Sequence, residues 1–111
     1  MANLKIWLEQ AENDFGEFIE AMIVGQHDFA RWDSRPSIDE NVLLAREDGL
    51  AKVDKEYYCH GDPGCFPLFA WTKSRVFFLS EHDGSTELVW VPRAPVDIAP
   101  TFCGRAARPG D

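Results

Sequence analysis

The chain has 111 residues, 45% of them apolar and 27% charged, with 19 Asp and Glu against 11 Lys and Arg for a net charge of −8. That length fits one domain with a single modest core. The negative balance repels nucleic-acid phosphates and anionic bilayers, so direct DNA, RNA or membrane binding is not expected, and a basic partner is favoured.

Leu4 to Ile23 reads as one long amphipathic helix. At about 100° per residue, Leu4, Trp7, Leu8, Ala11, Phe15, Phe18, Ile19 and Met22 share one side. Glu9, Glu12, Asn13, Gly16, Glu17 and Glu20 gather on the other, and only Ile6 is out of place. Asn3 can cap the start with its side-chain oxygen, and Gly25 can end it in the left-handed conformation. Gly16 weakens the middle by about 1 kcal/mol relative to Ala, but it lies on the polar side. Between Ile6 and Ala30, the acids Glu9, Glu12, Asp14, Glu17, Glu20 and Asp28 meet no Lys or Arg. The start has no long apolar run, which argues against a signal peptide. No segment approaches the roughly 18 apolar residues of a membrane helix.

Gln26 to Pro36 is a connection carrying Phe29 and Trp32, which can plug the edge of the core. Ser37 to Glu40 fits a capping box and opens a second helix from Ile38 to about Glu47, with Ile38, Val42 and Ala45 on one side and Leu43 and Leu44 widening it. Asp48-Gly49 is either a helix stop or a hairpin turn. In the segment from Leu50 to Tyr58, the spacing of Leu50, Val53 and Tyr57 favours a short helix, while Tyr57-Tyr58 suits a strand. Gly61-Asp62-Pro63-Gly64 is a turn.

From Cys65 the pattern becomes β: Phe66–Thr72, Arg75–Ser80 and Ser85–Val91 are short runs of aromatic and β-branched residues. Tight connections make them an antiparallel meander. Pro92 and Pro95 forbid continuation as a central strand, and Val96–Ile98 can add a short edge. The expected architecture is α+β: a long N-terminal amphipathic helix and a second helix packed on a three-stranded antiparallel β-meander. Residues 1–98 form the single domain and 99–111 a flexible C-terminal tail.

Alternation places apolar side chains on both sides of each strand. An ordinary antiparallel sheet leaves one face polar, so the second face needs a cover. The Ile38–Tyr58 region, the tail or another molecule, a second copy included, can supply it. Phe77 and Trp71 are the first residues to test there.

The chemistry-bearing residues are sparse. Cys59-His60 with Cys65 invites zinc, but adjacent residues rarely face one ion, and a fourth ligand would have to be Cys103, His27 or His82. Three cysteines are too few and odd in number for a disulfide framework, and reduced thiols in the cytoplasm are the expectation. Cys59 with His82, or Cys65 with His60, would serve a nucleophilic enzyme only if the fold held them together. No metal, cofactor or catalytic residue is therefore assigned. The remaining feature is the acidic stripe Glu9, Glu12, Asp14, Glu17 and Glu20, with Trp32 as an aromatic contact.

In size and acidity the chain resembles the small acidic proteins that phages and mobile elements use against host defences, the anti-restriction and anti-CRISPR inhibitors; no motif residues carry that resemblance. It implies a non-enzymatic inhibitor whose acidic helix docks on a basic, nucleic-acid-binding surface of a partner protein, as a nucleic-acid mimic. An immunity or antitoxin-like protein that neutralises a toxin shares the same features. A small thiol- or metal-dependent enzyme using Cys59, His60 and Cys65 is the alternative of a different class.

Overall fold

The computed structural model describes residues 2–25, 42–57, 66–82, 85–101 and 106, with every side chain there except those of Tyr57, Glu81, His82 and Ser85. Its elements are β1 (Ala2–Asn3), α1 (Leu4–Phe15), β2 (Ala21–Val24), α2 (Arg46–Lys52), β3 (Glu56–Tyr57), β4 (Leu68–Trp71), β5 (Arg75–His82) and β6 (Ser85–Pro92). An antiparallel four-stranded sheet has the order β2-β4-β5-β6, and β1 pairs with β3 apart from it. The class is α+β. Two departures from the sequence reading define it: the first helix is short, and the sheet has a fourth strand.

Asn3 opens α1 by accepting the Ile6 amide at its side-chain oxygen, at 3.3 Å, which satisfies one of the orphan donors of a helix start. Leu4, Leu8 and Ala11 then face the core. The helix expected to reach Ile23 stops at Phe15, because Gly16 adopts φ +68°. In that left-handed conformation its amide and that of Glu17 both close on the Glu12 carbonyl, at 2.9 and 3.3 Å, and the helical ladder cannot continue. Gly16 rather than Gly25 is the stop.

The residues beyond it exchange helical bonds for sheet bonds. β2 pairs with β4 in the register Met22↔Ala70 and Val24↔Leu68. Met22 and Val24 are buried while Ala21 and Ile23 are less so, a period of two that a helix would not produce. Ile19 and Met22 still reach the core, but from a loop and a strand. Phe18, placed by helical spacing on the apolar stripe, is 77% exposed.

The second helix is also displaced. Residues 38–41 and the capping box lie outside the described residues, and the chain at Leu44 is extended, exchanging two backbone hydrogen bonds with Met22 at 2.9 and 2.7 Å. The free edge of β2 supplies unpaired backbone groups there, and pairing with them outweighs helix formation. α2 begins only at Arg46 and contains Asp48-Gly49 in its interior. Gly49 is therefore neither a stop nor a hairpin turn. A Cβ on it would lie 2.6 Å from Met22 Sδ and 2.9 Å from Met22 Cβ, so its bare backbone is what lets α2 lie against β2. Leu50 and Val53 are buried as their helical spacing implies, and Tyr57 belongs to β3.

The meander of β4, β5 and β6 matches the expected one. Its register sets Ala70↔Phe77 and Phe77↔Trp90 on the inner face, over which α1 and α2 close the core with Leu4, Leu8, Leu50 and Val53. The outer face carries two apolar rungs, Ile23–Phe69–Phe78–Val89 and Ala21–Trp71–Val76–Val91. Phe77 and Trp71 therefore lie on opposite faces. Val96–Ile98 forms no strand; the Ile98 amide turns back onto the Val96 carbonyl at 2.9 Å. Ala106 is buried, and its amide donates to the Trp90 carbonyl at 2.9 Å.

Three substitutions check this packing by urea denaturation. Leu8→Ala, at a fully buried position, is expected to cost about 2–5 kcal/mol. Gly49→Ala is expected to destabilise by about 1–3 kcal/mol through overpacking against Met22, although Ala is the better helix former by about 1 kcal/mol. Phe18→Ala is expected to stay within about 0.5 kcal/mol of the parent; a larger loss would mean that Phe18 is packed.

Candidate functional site

The acidic stripe divides once the helix ends at Phe15. Glu12 sits at the edge of the core, only 7% exposed. Its Oε2 accepts the Ile19 amide at 2.7 Å and Arg46 Nε at 2.8 Å, and its Oε1 accepts Arg46 Nη2 at 2.7 Å. This is a bidentate, charge-assisted pair, the stronger class of hydrogen bond. Burial pushes the Glu12 carboxyl up, but the hydrogen bonds from Arg46 and Ile19 and the charge of Arg46 outweigh it and hold it below its ordinary value. The hydrogen bonds to Glu12 in turn push the Arg46 guanidinium up against a smaller opposing effect of burial.

Glu17 lies in the loop from α1 to β2 and faces the β4–β5 connection. Its Oε2 accepts Ser74 Oγ at 2.5 Å, and its Oε1 accepts Thr72 Oγ1 at 2.8 Å and pairs with Arg75 Nη1 at 3.1 Å. The Ser74 hydroxyl is the main reason its carboxyl is lowered; burial opposes, and Thr72 and Arg75 add to the lowering. The Arg75 guanidinium carbon stands 4.2 Å from the Phe15 ring centre and 4.7 Å from that of Trp90, within cation–π range. Its buried Nε has no hydrogen-bond partner among the described residues. Glu20 accepts Arg93 Nη1 at 2.7 Å, and the same nitrogen donates to the Thr72 carbonyl at 2.9 Å. Three acids expected on one helical face thus serve three arginines from three later parts of the chain.

Glu9 and Asp14 remain on the solvent side of α1, where Asp14 accepts the Gln10 side-chain amide at 2.9 Å. At the start of α2, Glu47 pairs with Arg46 at 3.3 Å, while Asp48 is exposed. Glu9, Asp14 and Asp48 have no ion pair among the described residues. Trp32 lies outside the described residues, as do His27, Cys59, His60, Cys65 and Cys103. Among the described residues no group of three or more His, Cys, Asp or Glu could hold a metal ion, and no helix is long and apolar enough to cross a membrane.

The sequence reading missed Arg46, Arg75 and Arg93. A signal was present: Arg46 opens α2, Arg75 opens β5 and Arg93 follows β6, so each stands where an apolar run meets a boundary. Spacing could not say which acid each one meets. No protein-family model, curated protein or solved structure matches the chain.

Removing one partner of the Glu12–Arg46 pair strands the other. Arg46→Met is expected to cost about 3 kcal/mol, the low end for a broken buried pair, because Arg46 is itself partly exposed. Glu12→Met combined with Arg46→Met is expected to recover much of that loss, as a double-mutant cycle in urea will show. The lowered carboxyls also fix a pH dependence. Their folded values lie below the ordinary 4.5, so their contribution is complete above that pH and is lost as pH falls through the lowered values. Glu12→Gln is expected to flatten the acid limb of a stability–pH curve, and an unchanged limb would remove Glu12 from this role.

Proposed function

We propose that the chain is a small acidic, non-enzymatic binding protein that docks on a basic surface of a partner protein. The charge left after internal pairing supports this reading. Each of the pairs Glu12–Arg46, Glu17–Arg75 and Glu20–Arg93 removes one charge of each sign, so the whole net charge of −8 stays on the remaining residues. Glu9 and Asp14 project from a helix tied to α2 through Glu12 and Arg46, which places Asp48 on the neighbouring element. Carboxylates on a preformed frame need little ordering on binding, and complementary charge speeds encounter with a basic surface.

The contact set in this reading is Glu9, Asp14 and Asp48; Glu12, Glu17 and Glu20 act by building the frame. Resemblance in size and acidity to anti-restriction and anti-CRISPR inhibitors makes a nucleic-acid-handling protein the preferred partner class, with carboxylates standing where phosphates would lie.

The test is capture of the partner from host lysate, followed by association kinetics with the purified partner. The triple variant Glu9→Lys, Asp14→Lys, Asp48→Lys is expected to stay folded and to associate at least about ten-fold more slowly at low salt. The wild-type rate is expected to fall as the Debye length shrinks from about 10 Å at 0.1 M to about 3 Å at 1 M. Equal rates for both proteins across that range would leave the acids as a solvated surface.

A further inference from the structure

Both edges of the four-stranded sheet end in the same way. The inner rung Met22–Ala70–Phe77–Trp90 is extended by one residue at each end: Leu44 bridges Met22, and the Ala106 amide donates to the Trp90 carbonyl at 2.9 Å. Beside Leu44 the chain enters α2 at once, where the Ala45 carbonyl accepts the Gly49 amide at 2.9 Å. Ala106 is bridged in turn by Pro100, and proline has no amide hydrogen to offer a further strand.

The two edges differ in what lies behind them. β2 has 4 residues, whereas β6 has 8 and pairs with β5 along its whole length. The β6 sequence STELVWVP carries one charge, Glu87, and the apolar run Leu88–Val91. Short runs of high β-propensity and low charge at a sheet edge are templates for another chain. The Trp90 carbonyl points away from β5, so alternation sends the backbone groups of Leu88 and Thr86 the same way. Trp90 lies inside the apolar run, and the bond to Ala106 interrupts that row there.

We infer that Ala106 is an edge guard: its amide closes the Trp90 carbonyl and so keeps β6 from pairing with the β6 edge of a second copy. Identical strands paired antiparallel about a two-fold axis are self-complementary, which makes a second β6 the strand to be kept out. An added strand needs successive outward groups of β6, and the carbonyl at Trp90 is already bonded. Ala106 is only 4% exposed, so an incoming strand has to displace a buried residue before it gains a bond there. The acidic surface takes no part in this, and the two readings stand or fall separately.

Thioflavin-T growth and sedimentation velocity of the full chain test this at micromolar to millimolar concentration. Ala106→Pro removes the amide donor. It is expected to form β-rich assemblies at least about ten-fold faster than the parent, under conditions where circular dichroism shows both folded. Ala106→Gly keeps the donor and is expected to behave as the parent does. Adding Val91→Lys to Ala106→Pro places a charge on the edge strand and is expected to suppress the growth. In the parent, the Ala106 amide is expected to exchange with solvent at least about 100-fold more slowly than an unstructured amide. That measurement decides the matter if Ala106→Pro fails to fold. An Ala106 amide that exchanges freely, an Ala106→Pro variant no faster than the parent, or an Ala106→Gly variant as fast as Ala106→Pro would each overturn the inference. Growth that persists with Val91→Lys would also overturn it, because it would not run through the β6 edge.

Discussion

The fold depends on a carboxylate at the edge of its core. When α1 stops at Gly16, the chain must reverse within a few residues to enter the sheet, and that turn leaves the Ile19 amide pointing inward with no backbone partner. A buried donor left unpaired costs about 1–3 kcal/mol. Glu12, one turn back in the helix, supplies the acceptor. Burial works against its charge, and Arg46, from the first turn of α2, holds it ionised together with the Ile19 amide. One residue thereby fixes the helix end, the reversal and the position of the second helix. Glu17 and Glu20 repeat the device, tying the same loop to the β4–β5 connection and to the chain after β6.

This arrangement separates building from display. Glu12 on α1 and Glu17 and Glu20 beyond the helix end pair with arginines, while Glu9, Asp14 and Asp48 keep their charge at the surface. The loop between α1 and β2 is anchored on both sides of Phe18, by the bonds of Glu17 and by those of Ile19 and Glu20. Its exposure therefore belongs to a fixed turn rather than to loose chain. The close approach at Gly49 works in the same direction. Without a side chain there, α2 reaches β2 and delivers Arg46 to Glu12.

The sheet adds a second, separate surface. Its inner rung of Met22, Ala70, Phe77 and Trp90 is consumed by the core, whereas its outer rungs are equally apolar and only partly covered.

The sequence by itself determined whatever rests on local chemistry. The Asn3 cap follows from its own side chain, the core positions Leu4, Leu8 and Ala11 from helical spacing, and the meander of β4, β5 and β6 from alternation and tight turns. The two apolar sides of the sheet were legible too, because period two is visible in any register. Tertiary structure decided the rest. Ile19, Met22 and Val24 fit a helix as well as a strand when read alone; only the free edge of β4 makes the strand better. Leu44 was drawn from helix to bridge for the same reason, and Gly49 was needed for a contact with a residue far away in the chain. Glu12, Glu17 and Glu20 look like Glu9 in sequence. What separates them is the folded chain: α2 brings Arg46 to Glu12, and the turn at Gly16 brings Glu17 and Glu20 to Arg75 and Arg93, while Glu9 meets water. Ion pairs between residues 34 to 73 positions apart leave no periodicity to read, because their geometry exists only once the core has formed.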